Sequence, residues 1–360
     1  MQEKTKNIIV TIGFLAIILV VFFTNIIVKD KNISTTERRK LSQFPEINLS
    51  KIFSGNFAKD FDKYSVDQFI ARDSFRSIKA FNSMYIFKQK DNNKLFEKDG
   101  AIYKIEYPLN TNNVQKSANK INDIYTKYLQ NMNVYYSIIP DKNYYLENDD
   151  HLKIDYKELF RIMSNSLKDL KYIDVSNRLK LEDYYRTDLH WRQEKLNNVV
   201  KTIKNNMNLS SNEPEYELKE VGEFYGTYYG QLGINMQPDN TYILTNKEIE
   251  GCTTYNYETN EYGKIYSQKR TSDMYDIYLS GATPLITIDN PNAKTKKELL
   301  LFRDSFGSSI APLLVQEYSK ITLIDIRYIS SDLLDQYINF EKQDVLFLYS
   351  SLILNQNVFK

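Results

Sequence analysis

Cysteine is almost missing from this chain of 360 residues. Cys252 stands alone, so no internal disulfide can form, and a thiolate zinc site is nearly excluded. Histidine is nearly as scarce: with only His151 and His190, a metal site would need carboxylates gathered from scattered places. No charge of one sign dominates, with 47 basic and 46 acidic residues giving a net of +1. Residues 1–31 carry +2 of this and the remainder −1. Nucleic-acid binding needs a concentrated basic face, and that balance offers none. There is no internal repeat and no low-complexity tract. At 42% hydrophobic and 26% charged, the composition is that of a folded protein rather than a disordered one.

One stretch lacks charge altogether. From Asn7 to Val28 the chain reads NIIVTIGFLAIILVVFFTNIIV, without the polar stripe of a helix buried in a soluble core. At about 1.5 Å per residue it reaches about 33 Å, enough to cross a hydrocarbon layer of about 30 Å. A membrane helix is expected over 7–28, with residues 1–6 as a cytoplasmic tail. No A-x-A cleavage site follows, which favours an uncleaved anchor. Lys29, Lys31, Arg38, Arg39 and Lys40 lie beyond the helix, against Lys4 and Lys6 before it. A literal positive-inside count would therefore place the large domain in the cytoplasm. Residues 29–52 read as a stalk and 53–360 as the main domain. At its start, Phe57, Phe61, Tyr64, Phe69, Phe75 and Ile78 have amphipathic helical spacing and are expected to pack on that domain.

Farther on, short apolar runs alternate with helical stretches. Strands are expected at 133–140, 171–179, 284–290, 297–305, 321–329 and 344–354, and a helix at 156–170. This alternation predicts an α/β domain with a largely parallel sheet. In ELLLFRDSFGSSI a strand runs into a helix expected to begin near Gly307, which puts Ser305 at the turn. Ligands bind at that edge of open α/β sheets, and the free N–H groups of a first helical turn favour developing negative charge. Ser305 is thus a candidate nucleophile, although Asp304 or Ser305 acting only as a helix N-cap is the alternative. ARDSFRS at 71–77 repeats R-D-S-F without the strand or the glycine, so Ser74 reads as ordinary.

The segment Tyr185–Trp191, YRTDLHW, holds the only tryptophan. Asp188 and His190 are two apart; in an extended segment they would point the same way, the carboxylate orienting the imidazole as a base for serine. A structural turn with Trp191 as core is the alternative, and a metal site is the weaker third. The glycines of GEFYGTYYGQLG, 222–233, do not have dinucleotide-binding spacing and read as structural turns or as cleft lining.

The order of ERRKLSQFP (37–45), FSGNF (53–57), VDQFIARD (66–73), PDKNYY (140–145), TDLHW and RDSFG resembles the DHHW family and the related alginate O-acetyltransferase-like proteins of the SGNH hydrolase class. The resemblance runs from about Glu37 to the C-terminus. It implies an SGNH-hydrolase-like, flavodoxin-like fold and a catalytic triad of Ser305, His190 and Asp188, without a metal or cofactor. It further implies an extracytoplasmic enzyme moving an acetyl group onto a cell-envelope polysaccharide, with a multi-pass membrane O-acyltransferase as partner. An esterase with the same triad and a non-catalytic scaffold are the alternatives. Trp191, Lys142, Arg303 and Tyr145 are the candidate substrate-binding residues. Leu189 stands where the family name implies a second histidine, and Arg303 where relatives often carry glycine.

Overall fold

The computed structural model describes residues 3–147, 150–210, 212–268, 271, 273–356 and 358–360. Its contacts divide the chain into two units: residues up to 92 together with 229–235, and residues 93–228 together with 236–360.

The first unit begins with helix α1, Glu3–Ile27, none of whose residues is buried. It is long and apolar enough to span a membrane. Helices α2 (Asn56–Asp67) and α3 (Arg72–Phe81) follow. Residues 53–92 therefore group with the anchor and stalk rather than with the larger unit. An ion-pair knot ties this unit together. Glu37 pairs with Arg72 at 2.6 Å, Arg76 at 3.2 Å and Arg39 at 3.2 Å, and a second carboxylate, Asp67, also binds Arg39. Arg39 holds the Asp67 carboxyl well below the usual range. Of the aromatic stripe, Phe61, Phe69, Phe75 and Ile78 are exposed.

The second unit is built on an eight-stranded sheet. Its strands are β1 (Asn133–Ile139), β2 (Lys171–Tyr172), β3 (Thr253–Asn256), β4 (Glu261–Gly263), β5 (Leu285–Asp289), β6 (Glu298–Arg303), β7 (Lys320–Ile324) and β8 (Asp344–Ser350). The spatial order is β4-β3-β5-β7-β6-β8-β1-β2. From β7 to β2 all neighbours are parallel, while β5, β3 and β4 add an antiparallel edge. The period-2 alternation of a strand sorts the core into two layers. Leu299 and Leu301 face one side with Leu346, Leu348 and Tyr135; Leu300 and Phe302 face the other with Val345, Phe347 and Tyr136. Helices α4 (Thr111–Ile124) and α5 (Tyr156–Ser166) cover the second layer through Val114, Ile121, Leu159 and Ile162. Helix α6 (Asn197–Asn206) covers the first through Val199 and Ile203.

Two expected strands prove shorter, each for a local reason. β2 stops at Tyr172 because Asp174 turns the chain, accepting from Ser176 N at 2.9 Å. β7 stops at Ile324 because the chain turns at Asp325, whose Oδ1 accepts from Arg327 N at 3.1 Å and whose carboxylate pairs with the Arg327 guanidinium at 2.6 Å. The run at 344–354 changes to helix at Ser351, after β8.

Candidate active site

Ser305 lies at the carboxyl end of a parallel strand, the edge at which open α/β sheets bind ligands. β6 sits between β7 and β8 in the parallel part of the sheet, and helix α7 (Ser305–Ile310) begins two residues after its carboxyl end. The helix thus starts at Ser305 rather than near Gly307. Asp304 is the cap: its Oδ1 accepts from Phe306 N at 3.0 Å, and its Oδ2 accepts from Ser350 N at 2.8 Å, at the end of neighbouring β8. Those two bonds fix the turn and leave the Ser305 hydroxyl uninvolved in capping. Gly307 is required here, since a Cβ would fall 2.5 Å from the Arg303 Cβ.

The Ser305 Oγ is 2.7 Å from His190 Nε2, and His190 Nδ1 is 2.6 Å from Asp188 Oδ1. Asp188 and His190 are buried; Ser305 is half-buried. The segment around Asp188 is a tight turn, not extended chain. Tyr184 and Trp191 bridge antiparallel, and Tyr185 N donates to His190 O at 3.0 Å. Inside this turn Asp188 Oδ1 also accepts from His190 N at 3.0 Å, so one oxygen holds both the backbone and the ring of the histidine.

Several residues outside the motif fix its position. Thr227 N donates to Asp188 Oδ2 at 2.6 Å, leaving neither carboxylate oxygen free to rotate. Gly226 lies against the same turn; a Cβ there would meet Thr187 O at 2.3 Å and Asp188 Cβ at 2.4 Å. Asp239 accepts from Thr187 N at 2.8 Å, Thr187 Oγ1 at 2.7 Å and Arg186 N at 3.1 Å. Tyr275 stacks on the His190 ring at 3.8 Å between centroids, 10° from parallel, and its hydroxyl donates to Ser309 Oγ at 2.8 Å. Thr227, Asp239 and Tyr275 carry no local sequence signal, being brought in from 37 to 85 residues beyond His190. The glycine-rich run 222–233, read as structural turns or cleft lining, supplies the close approach at Gly226.

The four candidate substrate-binding residues take other positions. Trp191 is wholly buried, its Nε1 donating to Ser309 Oγ at 2.8 Å and Phe306 O at 3.2 Å. Arg303 is equally buried and faces Asp325 and Thr283. Lys142 is only 2% exposed and donates to Tyr185 O at 2.9 Å and Arg186 O at 3.1 Å. Burial pushes its ammonium down to about 7, against the opposing pull of Asp188, Asp239 and Asp141. The Tyr145 hydroxyl, half-buried, is committed to Ser176 O at 2.9 Å. Trp191, Arg303 and Lys142 thus direct buried hydrogen bonds to the protein's own oxygens. Ser74 is exposed within α3. Among the described residues no three of His, Cys, Asp and Glu gather as a metal-ligand set.

No protein-family model matches the sequence, and no curated protein matches it. Solved structures do match. A DHHW family protein from Eubacterium siraeum has a TM-score of 0.61 at 20% identity, over 74% of this chain and 95% of its own. Bacillus cereus PatB1 with a sulfonyl adduct has a TM-score of 0.59 at 20% identity, over 74% of this chain and 97% of its own. PatB1 without the adduct gives 0.59 at 20% identity, over 75% and 99%. The chain thus shares the α/β fold of the DHHW family protein and of PatB1, with a mostly parallel sheet flanked by helices.

Proposed function

We propose that this chain is a membrane-anchored acyltransferase whose nucleophile is Ser305, with His190 as base and Asp188 as the residue that orients it. The observation that carries this reading is the unbroken relay from Ser305 Oγ to His190 Nε2 at 2.7 Å and from His190 Nδ1 to Asp188 Oδ1 at 2.6 Å. A serine hydroxyl is a weak nucleophile unaided, and this arrangement supplies what it needs.

In the first half-reaction the Oγ attacks the carbonyl carbon of an acyl ester, and its proton passes to Nε2. The oxyanion that forms lies near the Ser305 N–H, whose place at the start of α7 leaves it without an intrahelical acceptor. Collapse breaks the ester bond, and Nε2 returns the proton to the leaving alcohol. In the second half-reaction Nε2 removes a proton from a sugar hydroxyl, which attacks the acyl-serine and regenerates Ser305. Asp188 stays ionised throughout, stabilising the imidazolium. The resemblance of the motifs to the DHHW and alginate O-acetyltransferase-like proteins supplies the finer identity: acetyl as the group, a cell-envelope polysaccharide as acceptor, and a multi-pass membrane O-acyltransferase as donor partner. On that reading α1 is the anchor and the larger unit lies outside the cytoplasm.

PatB1 has been obtained with a sulfonyl adduct, which makes a sulfonyl fluoride a natural probe beside an aryl acetate. Applied to the full-length chain in detergent, both reagents should modify Ser305. Ser305→Ala should abolish modification and Ser74→Ala should not. His190→Ala should slow acylation by about 10³-fold or more, because members of such a relay act as a unit. Adding an oligosaccharide acceptor should divert acetyl from water to sugar; hydrolysis unaffected by acceptor would favour an esterase. Ser305→Ala that reacts and turns over like the parent would remove the catalytic reading.

A further inference from the structure

Helix α3 is inside out for a protein in water. Its charged face points inward: Arg72 and Arg76 are 14% and 18% exposed and bind Glu37 at 2.6 and 3.2 Å. Its apolar face points outward, with Phe75 57%, Ile78 56% and Phe81 54% exposed. The pattern extends on both sides, since Phe44, Phe53, Phe61, Tyr85 and Phe87 are exposed as well. Isolated exposed apolar residues need no explanation, but an extended aromatic surface marks a face built for something other than water.

Two observations indicate what covers it. The first is continuity with α1. Phe44, Phe61, Tyr64 and Phe69 line one pocket together with Ile18, Val21, Phe22 and Ile26 of the apolar helix. Ile26, Phe22 and Ile18 precede the last residue of the uncharged run, Val28, by two, six and ten positions, about 3, 9 and 15 Å along the helix axis, so the pocket is centred about 9 Å from that end. That matches the depth of about 5–10 Å at which amphipathic elements rest at the boundary of headgroups and acyl chains. Asn25 Oδ1, on α1, also accepts from Ile70 N at 2.8 Å, tying the link between α2 and α3 to the apolar helix. The second observation is charge. Residues 29–90 contain thirteen basic and seven acidic side chains, a net of +6 in a chain whose total is +1. Aromatic side chains interleaved with lysines are what a bilayer interface with anionic headgroups attracts.

We propose that residues 44–87 form an aromatic collar that lies in the interfacial layer of an anionic phospholipid bilayer, in the leaflet reached by the C-terminal end of α1. This rests on the reading of α1 as a membrane anchor. The collar makes the attachment two-part, a spanning helix and a monotopic surface, whichever side of the membrane the larger unit occupies.

The test uses the full-length chain in phosphatidylcholine–phosphatidylglycerol vesicles whose acyl chains carry bromine near the headgroup or near the chain end. Trp191, wholly buried, gives a constant background. New tryptophans are placed at Phe61 and Phe75, on different helices, so that a folding failure at one leaves the other informative. Phe14→Trp in α1 and Tyr262→Trp, at a side chain 79% exposed on the larger unit, are the references. Phe61→Trp and Phe75→Trp should emit to the blue of Tyr262→Trp, lose emission to shallow bromine and be shielded from iodide. Phe14→Trp should lose emission to deep bromine, and Tyr262→Trp to iodide alone. If Phe14→Trp behaves so while both collar positions respond to iodide and not to bromine, the collar is wrong and the anchor stands. Collar positions shielded from iodide and bromine alike would mean that a second copy of the chain covers this face, which also overturns the proposal. Failure of bromine to reach Phe14→Trp would remove the anchor itself.

Discussion

Gly226→Ala should disable acyl transfer while leaving the protein folded. The added Cβ would lie 2.3 Å from Thr187 O, 2.5 Å from Thr187 C and 2.4 Å from Asp188 Cβ, and two of these three are backbone atoms that cannot rotate away. Reaching ordinary van der Waals separation requires the Thr187–Asp188 segment to retreat by about 1 Å, with an overpacking cost of about 1–3 kcal/mol. The segment has little freedom to retreat as a body, because Asp239 holds Thr187 N and Thr187 Oγ1 at 2.8 and 2.7 Å. The displacement therefore falls on the bonds from Asp188 to Thr227 N and to the His190 ring, 2.6 Å each. A misplacement of about 1 Å in such a relay corresponds to about a 10²-fold loss of rate. Gly100→Ala is the control. Gly100 has a φ of +74° with nothing within 4 Å of the new Cβ, so its substitution strains the backbone by about 1 kcal/mol without reaching the site. Pre-steady-state acylation by an aryl acetate, read beside thermal unfolding, separates the two. Gly226→Ala that acylates at the parent rate would refute the claim that this close approach positions Asp188.

Lys142 predicts a pH dependence. Its folded-state value of about 7 lies below the ordinary 10.5, so the unfolded chain binds more protons across that window. Stability contributed by this site therefore rises with pH from about 7 toward 10.5 and is lost as pH falls, at about 1.4 kcal/mol per unit of separation between the two values. Comparing denaturant midpoints over that range, Lys142→Met should lack this rise; parallel curves would show that Lys142 is not titrating in the interior. Arg303→Met should cost less than the 3–5 kcal/mol or so usual for orphaning a buried charge, because Asp325 keeps two bonds from Arg327 at 2.8 and 2.6 Å. It should leave the KM for ester unchanged, and a raised KM at unaltered unfolding temperature would return Arg303 to the substrate.

Much of this architecture could be read from the chain because it is written locally. The 285–289, 298–303, 320–324 and 344–350 strands are short apolar runs whose alternation survives in the two core layers. The strand-to-helix turn announces itself by Asp304, Ser305 and Gly307, and the Asp188–His190 pair by proximity. What escaped was the environment of that pair. Thr227 contributes a backbone N–H, and Tyr275 lies against the histidine across 85 residues of sequence. Neither a backbone donor nor one tyrosine among 29 is distinguishable before the chain folds. The burial of Lys142 and Arg303 was equally illegible in the sequence. Charge normally marks surface, but here both side chains satisfy buried oxygens. In α3 the periodicity was legible and its sense was not, because which face turns inward depends on Glu37 meeting Arg72 and Arg76.

The indole of Trp191 gives the molecule an optical property that its designers of assays need not add. It packs edge-on against Phe306, with ring centroids 5.4 Å apart, and its N–H is bonded to the very turn that begins with Ser305. With a single such chromophore among 29 tyrosines, excitation energy absorbed across the chain drains toward one emitter beside the turn of Ser305. Native fluorescence of the unlabelled protein thus reports on the helix that carries Ser305, and on the proposed mechanism its change on mixing with an acyl donor should time the first half-reaction.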